Sequence, residues 1–367
     1  MDGFEIAVFE GDGIGPEVMR PTVELLTALA RGHGRYALNF ETLPAGAGHY
    51  REHGVSLPGD ALARARRADA ILLSAMGLPE VRYPDGTEIS PQIELRMELG
   101  LYAGVRPVFQ FGQSCPIARF GGDQRPVDFV IVRESTEGLF YSHGKGEVID
   151  DSEARETLRI TRATSEKLFD FAFDLARQRK ADGRGAGVVH CVDKANVFQA
   201  FAFFRRIFRE RAEAFPDIRA EAAYVDATAM WLVEKPQVFD VLVTENMFGD
   251  ILSDLGAAMM GGLGLAPSAD IGERNAVFQP CHGSAPDIAG QGRANPIAMV
   301  LSAAMMLDWL GRTRGQEAMR ADALRIHEAV REVVTSGGPL TPDLGGTAST
   351  GEVVAAVRDA ALAAVAA

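Results

Sequence analysis

Short apolar runs recur along the chain at 4–9, 69–74, 129–133, 187–192 and 239–244, and longer stretches with helical spacing separate them. That alternation narrows the possible folds furthest, because strands that take turns with helices predict an α/β protein built on a largely parallel sheet. The first helix is the clearest. Pro16 stands at its first position, Val18, Val23, Leu25, Leu26 and Leu29 recur at helical spacing, and Gly32 and Gly34 end it. A long helix is predicted over about 152–180. Asp150, Asp151 and Glu153 open it and Arg177, Arg179 and Lys180 close it, an order that suits the helix dipole. Further helices are predicted at about 195–214, 226–233, 249–260, 295–310, 315–336 and 349–364. There is no internal repeat and no Pro- or Ser-rich linker, so two domains would be joined by strands or helices, not by a loose tether.

At 367 residues the chain is long enough for about two domains. No apolar run approaches the ~18 to 20 residues of a spanning helix, so no membrane span is expected. The start, MDGFEIAVF, puts an acid where a secretory signal needs positive charge, and export is not expected. Cys115, Cys191 and Cys281 lie far apart with no C-x-x-C pair, which excludes a legible disulfide framework or thiolate zinc site and suits a reducing cytoplasm. Lys plus Arg number 37 against 50 Asp plus Glu, a net charge of -13 that repels polyanions, so nucleic acid is not an expected partner. A small anionic substrate then needs a local arginine cluster.

Several segments offer chemistry. Gly11-Asp12-Gly13-Ile14-Gly15-Pro16-Glu17 joins the first strand to the first helix with G-x-G-x-G spacing, unlike the G-x-G-x-x-G of a dinucleotide fold. A tight structural turn and a ligand contact are both open to it. Arg96, Arg106 and Arg133 sit at strand or loop ends where forked guanidinium groups could clamp carboxylates, although a solvated salt bridge is the default for each alone. Asp250 and Asp254 share one helix face and repel unless a cation lies between them. With Asp226, which opens another helix, they could supply hard oxygen ligands to Mg²⁺ or Mn²⁺; helix capping is the competing account of each singly. Lys194 follows the strand-like GVVHCV at the edge where open α/β sheets place ligands, and could act as a base. Tyr141, in a Gly-rich polar stretch, could be a proton donor or an ordinary loop aromatic. His282-Gly283-Ser284-Ala285-Pro286-Asp287 is too short a loop for a Ser-His-Asp relay and reads better as a nucleotide-wrapping loop.

The ordered series GDGIGPEV (11–18), LRMELGLYAGVRPV (95–108), FVIVREST (129–136), VDKANV (192–197), TENMFGDILSD (244–254), HGSAPDIAGQGRANP (282–296) and DLGGTAST (343–350) resembles the β-decarboxylating dehydrogenase family. Its members act on 3-isopropylmalate, isocitrate, homoisocitrate, tartrate and D-malate. The resemblance implies an isopropylmalate dehydrogenase-like α/β fold in which two domains share one continuous mixed sheet, not a standard Rossmann fold. Residues 1–101 and 261–367 would form the cofactor domain and 102–260 the substrate and dimerisation domain, with an arm at about 136–160 pairing with a partner's arm.

The same resemblance assigns roles. Arg96, Arg106 and Arg133 would grip substrate carboxylates; Asp250 and Asp254 of one subunit and Asp226 of the other would hold the metal. Lys194, also from the partner, would accept the hydroxyl proton, and Tyr141 would protonate the enol after CO₂ leaves. His282, Gly283, Ser284, Ala285, Asp287 and Asn295 match the adenosine-binding loop, and the Asp287 carboxylate, which would repel a 2′-phosphate, predicts NAD⁺. The expectation is a homodimer with shared active sites, oxidatively decarboxylating a 2-hydroxy acid, with 3-isopropylmalate first and tartrate, D-malate, isocitrate or homoisocitrate as alternatives. A catalytically silent regulatory or binding subunit is the alternative of a different class; retention of Lys194, Tyr141 and the three aspartates argues against it. The chain departs from the family pattern in one segment and at one further position. Ser90 and Gln92, between the apolar Ile89 and Ile93, make the specificity segment mixed, and Gln279 stands where a Glu near the nicotinamide is usual.

Overall fold

A computed structural model describes residues 2–112 and 126–366, and Cys115 lies outside them. The strands are β1 (Asp2–Phe9), β2 (Tyr36–Thr42), β3 (Ala70–Leu73), β4 (Ala103–Phe109), β5 (Asp128–Glu134), β6 (Glu147–Ile149), β7 (Glu153–Arg155), β8 (Val188–Asp193), β9 (Arg219–Tyr224), β10 (Val241–Thr244), β11 (Pro267–Ile271) and β12 (Ala276–Pro280). The helices are α1 (Gly15–His33), α2 (Ala47–His53), α3 (Gly59–Arg67), α4 (Pro91–Glu98), α5 (Arg162–Ala181), α6 (Gln199–Ala212), α7 (Val225–Glu234), α8 (Asn246–Met260), α9 (Ile297–Arg314), α10 (Glu317–Thr335) and α11 (Thr350–Ala366). Ten of the strands belong to one mixed sheet. Among the described residues no helix is long and apolar enough to cross a membrane.

The chain divides into two units: 1–99 with 261–269 and 273–367, and 100–260 with 270–272. In the first unit the strand order is β2-β1-β3-β12-β11, and β1 pairs in parallel with β2 and β3, as β3 does with β12. All four residues of β3 (AILL) are buried, as expected of a parallel strand covered on both faces. Helix α9 is buried along almost its whole circumference and packs on α10 and β12, which explains why its sequence, IAMVLSAAMMLDWL, shows no polar stripe. Helix α1 stops at Gly34, whose left-handed φ of 62° lets its N–H bond the Ala30 carbonyl.

The second unit has the order β4-β5-β10-β8-β9, parallel throughout except for the antiparallel pair β4–β5. Strands β5, β8 and β10 therefore all end at one edge, which carries Arg133, Lys194 and the start of α8. Helices α5 and α6 cover the sheet through Phe169, Phe173, Phe204 and Phe208, all fully buried and in ring contact.

One sequence expectation fails here. The helix predicted from about 152 begins instead at Arg162, where the Thr161 hydroxyl accepts from the Thr164 N–H. Upstream, β6 and β7 form a separate antiparallel pair turned at Asp150 and Asp151, both at positive φ (49° and 52°). The acids that resembled a helix start are turn residues, because Asp tolerates the left-handed region at a hairpin. This hairpin is largely exposed, with Val148 at 75%.

Candidate active site

In the second unit the site begins at the edge where β5 ends. Arg133 is buried there and is held by its neighbours on α8: Nε and Nη2 donate to the Asn246 Oδ1 at 3.3 and 2.8 Å, and Nη1 pairs with Asp250. Gly249 makes this approach possible, since a Cβ there would lie 2.7 Å from the Arg133 Cβ. Asn246 also donates to the Glu137 carbonyl at 3.3 Å, so it ties the guanidinium to the base of the hairpin segment. Arg106, on β4, is buried and lies 4.0 Å from the buried Asp270 carboxylate. Burial and the neighbouring Asp250 carboxylate push the Asp254 carboxyl above the usual range, against the pull of Arg106 and Arg133. Two arginines and two aspartates thus share one electrostatic neighbourhood, as an anion clamp beside a cation site requires.

A second cluster lies where β8 and β9 end. The Lys194 Nζ is 2.6 Å from the Asp226 Oδ1, and that hydrogen bond is the chief cause of the lowered Asp226 carboxyl. Among the described residues no three His, Cys, Asp or Glu side chains of one chain are grouped to hold a metal. The three aspartates therefore do not converge within one copy: Asp250 and Asp254 stand with the arginines, and Asp226 stands with Lys194. Tyr141, on the short turn Leu139–Ser142, is 42% exposed with the Arg159 guanidinium 4.2 Å from its ring centroid.

The remaining predicted residues lie in the first unit. The turn at 11–15 is a structural device: a Cβ at Gly13, whose φ is 58°, would sit 2.0 Å from the Ser284 carbonyl oxygen, and the Ile14 N–H donates to that oxygen at 2.8 Å. Asp12, buried, accepts from the N–H groups of Ala47, Gly48 and Gly77 at 2.7 to 2.8 Å. Ser284 donates to the Gly77 carbonyl at 2.5 Å. Glu17 holds the other end of the 282–296 loop, accepting from Gly290, Ala294 and the Thr350 hydroxyl at 2.8 to 3.1 Å. Burial works to raise the Glu17 carboxyl, but these donors outweigh it and the net shift is downward. Asn295 is fixed by donating to Asp343 at 2.9 Å and accepting from the Ile297 N–H at 3.0 Å.

Within that loop Ala285 takes a positive φ of 37°, Gly283 and Asp287 are exposed, and His282 turns Nδ1 to the Gly283 carbonyl at 3.0 Å. The His282 Nε2 is buried without a hydrogen-bond partner, and burial lowers the ring's pKa. Gln279 is buried on β12, its carbonyl accepting from Ser268 and Ser302 at 2.7 and 2.9 Å. Arg96 is buried on α4, one turn after Gln92, whose Oε1 is buried without a partner, while Ser90 precedes the helix half-buried. Ile89, in the same segment, is buried in a small core with Ala47 and Val81.

Asp12, Glu17 and Asn246 lay inside quoted motifs but were given no role. The available signal was a charged or amide side chain between glycines or beside a helix start, the kind of position where short polar chains satisfy backbone donors.

Comparison with known proteins bears on the whole chain. Residues 5–357 match a family described as isocitrate/isopropylmalate dehydrogenase. A 3-isopropylmalate/3-methylmalate dehydrogenase of Methanocaldococcus jannaschii is 44% identical over 354 residues, 95% of this chain and 96% of that protein. A probable tartrate dehydrogenase/decarboxylase of Bacillus subtilis is 36% identical over 360 residues, 96% of each. The crystal structure of isocitrate dehydrogenase from Methylococcus capsulatus superposes with a TM-score of 0.83 at 36% identity, covering 98% of this chain and 99% of that one.

Proposed function

The chain belongs to the isocitrate/isopropylmalate dehydrogenase family and is an oxidoreductase, and on that premise we propose that it oxidises and decarboxylates a 2-hydroxy acid with NAD⁺ and Mg²⁺ or Mn²⁺. The observation that carries this reading is the gathering of the buried Arg106 and Arg133 with the exposed Asp250 and Asp254 in one electrostatic neighbourhood. The donor set suits a divalent ion, because Asp250 and Asp254 are hard oxygen donors four apart on α8 whose mutual repulsion a cation relieves. Such an ion, held by Asp250 and Asp254, would supply Lewis acidity to the substrate.

The chain's own residues do the rest. Arg96, Arg106 and Arg133 bind the carboxylates. Lys194 takes the proton of the C2 hydroxyl while the C2–H bond breaks and its electron pair leaves as hydride for the nicotinamide. The C3–carboxylate bond of the resulting keto acid then breaks, releasing CO₂, and Tyr141 returns a proton to C3. Overall, NAD⁺ becomes NADH and the hydroxy acid becomes a ketone with one carboxylate fewer. His282, Gly283, Ser284, Ala285, Asp287 and Asn295 receive the adenosine end, where the unpartnered His282 Nε2 fits a polar nucleotide contact.

The site is completed by a second copy of the chain, which brings Asp226 and Lys194 to the Asp250–Asp254 pair. The absence of a three-ligand group within one chain, among the described residues, supports this. So do the exposed apolar side chains Val197, Phe198, Met230, Met247 and Ile251 on and around α6, α7 and α8. Pairing of the 147–155 hairpins of two copies belongs to the same arrangement.

The substrate we propose is 3-isopropylmalate, one of the two acids in the name of the 44% identical relative. One observation favours a second reading: the buried, unpartnered Gln92 Oε1 one turn from Arg96 suits a C3 hydroxyl, as in tartrate, better than an isopropyl group. NADH absorbance with Mg²⁺ or Mn²⁺ over a panel of these acids tests both. Turnover of none of them would remove the reading, and turnover of tartrate without turnover of 3-isopropylmalate would select the second.

A further inference from the structure

Strands β8 and β9 run in parallel register with Asp193 opposite Tyr224, so Lys194 follows one strand end directly and Asp226 follows the other within the first turn of α7. The paired side chains have little of their own to hold them, since Asp226 is exposed and Lys194 partly so. The support lies underneath. Asp193 is fully buried, accepts from the Ala195 N–H at 2.7 Å, and takes both Nε and Nη2 of Arg205 at 2.7 Å. That guanidinium, sent in from α6, also reaches the Ala223 carbonyl at 3.4 Å and lies 4.8 Å from the Tyr224 ring centroid. One planar fork therefore touches the last residues of both strands, a bridging geometry that a compact ammonium cannot copy.

We propose that Arg205 is a positioning residue for the Lys194–Asp226 pair: by locking the ends of β8 and β9 together through Asp193, Ala223 and Tyr224, it sets where the proton-accepting amine and the third carboxylate stand. The proposal rests on the reading of Lys194 as proton acceptor. It differs from ordinary core stabilisation because it fixes the reach of Lys194 and not only the stability of the unit.

The test is Arg205→Lys in the full chain, with two readouts. In the resting protein, Lys194 is labelled by an amine-reactive reagent and quantified by peptide mass spectrometry against the exposed Lys235. In turnover, kcat and the KM for NAD⁺ are measured with whichever acid the wild type oxidises. The expected result is Lys194 labelling several-fold faster relative to Lys235, and kcat lower by at least about tenfold with the KM for NAD⁺ held within about twofold, since small misplacement of a reacting group is costly. An unchanged labelling ratio overturns the proposal whatever happens to kcat. Should Arg205→Lys not fold, Tyr224→Leu removes the ring from the partly exposed side and is expected to move the ratio in the same direction; no movement again overturns it. If the wild type oxidises none of the acids, the reaction reading fails while the labelling ratio still decides the positioning claim.

Discussion

In the first unit the 282–296 loop is held by donors and acceptors of the same unit, whereas the charged side chains of the second unit hold one another. Glu17 and Asn295, with the backbone of the 11–15 turn, fix the loop, and Asp12 accepts from the backbone N–H groups of Ala47, Gly48 and Gly77. Around Arg133, by contrast, an arginine assigned to substrate pairs with an aspartate assigned to metal, and Lys194 pairs with Asp226. The difference teaches that a loop can be fastened during folding by carboxylates whose charge is met by neutral backbone donors. A site for an anion and a divalent cation must keep opposite charges that neutralise each other until the ligands replace them.

The largest expected effect breaks the charged cluster. Asp250→Asn should lower kcat by at least about 10³-fold, roughly 4 kcal/mol, and weaken Mn²⁺ binding followed by electron paramagnetic resonance, with the subunit association unchanged. Near-normal turnover would leave the carboxylate pair as a helix start and nothing more. On the cradle side, Asp12→Ala strands three backbone donors and should cost about 3 kcal/mol of stability in urea unfolding. A loss below about 0.5 kcal/mol would show that the turn does not depend on that carboxylate.

Glu17→Gln should be milder, about 1 to 2 kcal/mol, with a higher KM for NAD⁺ because the loop loosens. Its pH dependence follows from the sign of the shift. The folded-state value lies below the ordinary glutamate value, so the stabilisation is complete above the unfolded value and drains away as pH falls through the folded one. The gap in Tm between wild type and Glu17→Gln should therefore close in acid; a constant gap would assign the effect to packing. The smallest effect concerns cofactor choice. NADP⁺ should give a kcat/KM at least about tenfold lower than NAD⁺, roughly 1.4 kcal/mol, and equal use would remove the exposed Asp287 from the account.

Much of this was readable in the chain because strand alternation and glycine spacing report local geometry. The runs at 4–9 and 239–244 became β1 and β10, and Gly34 ended α1 as its position implied. The motif residues were legible because their resemblance is ordered along the sequence. What could not be read was long-range pairing. Nothing adjacent to Glu17 announces that Ala294 and Thr350 donate to it, and nothing near Asp193 announces Arg205. The 147–155 hairpin was misjudged for the opposite reason: Asp150 and Asp151 are common both at helix starts and in turns, and only the positive φ at both decides between them.

The claim on which the rest depends is that neither copy of the chain owns a complete site. Lys194→Met and Asp250→Asn subunits, each inactive alone, would be co-expressed and the mixed dimers confirmed by mass. A shared site predicts activity restored to about a quarter of wild type under random mixing, because half the dimers then carry one intact site of two. Mixed dimers no more active than either parent would contradict it.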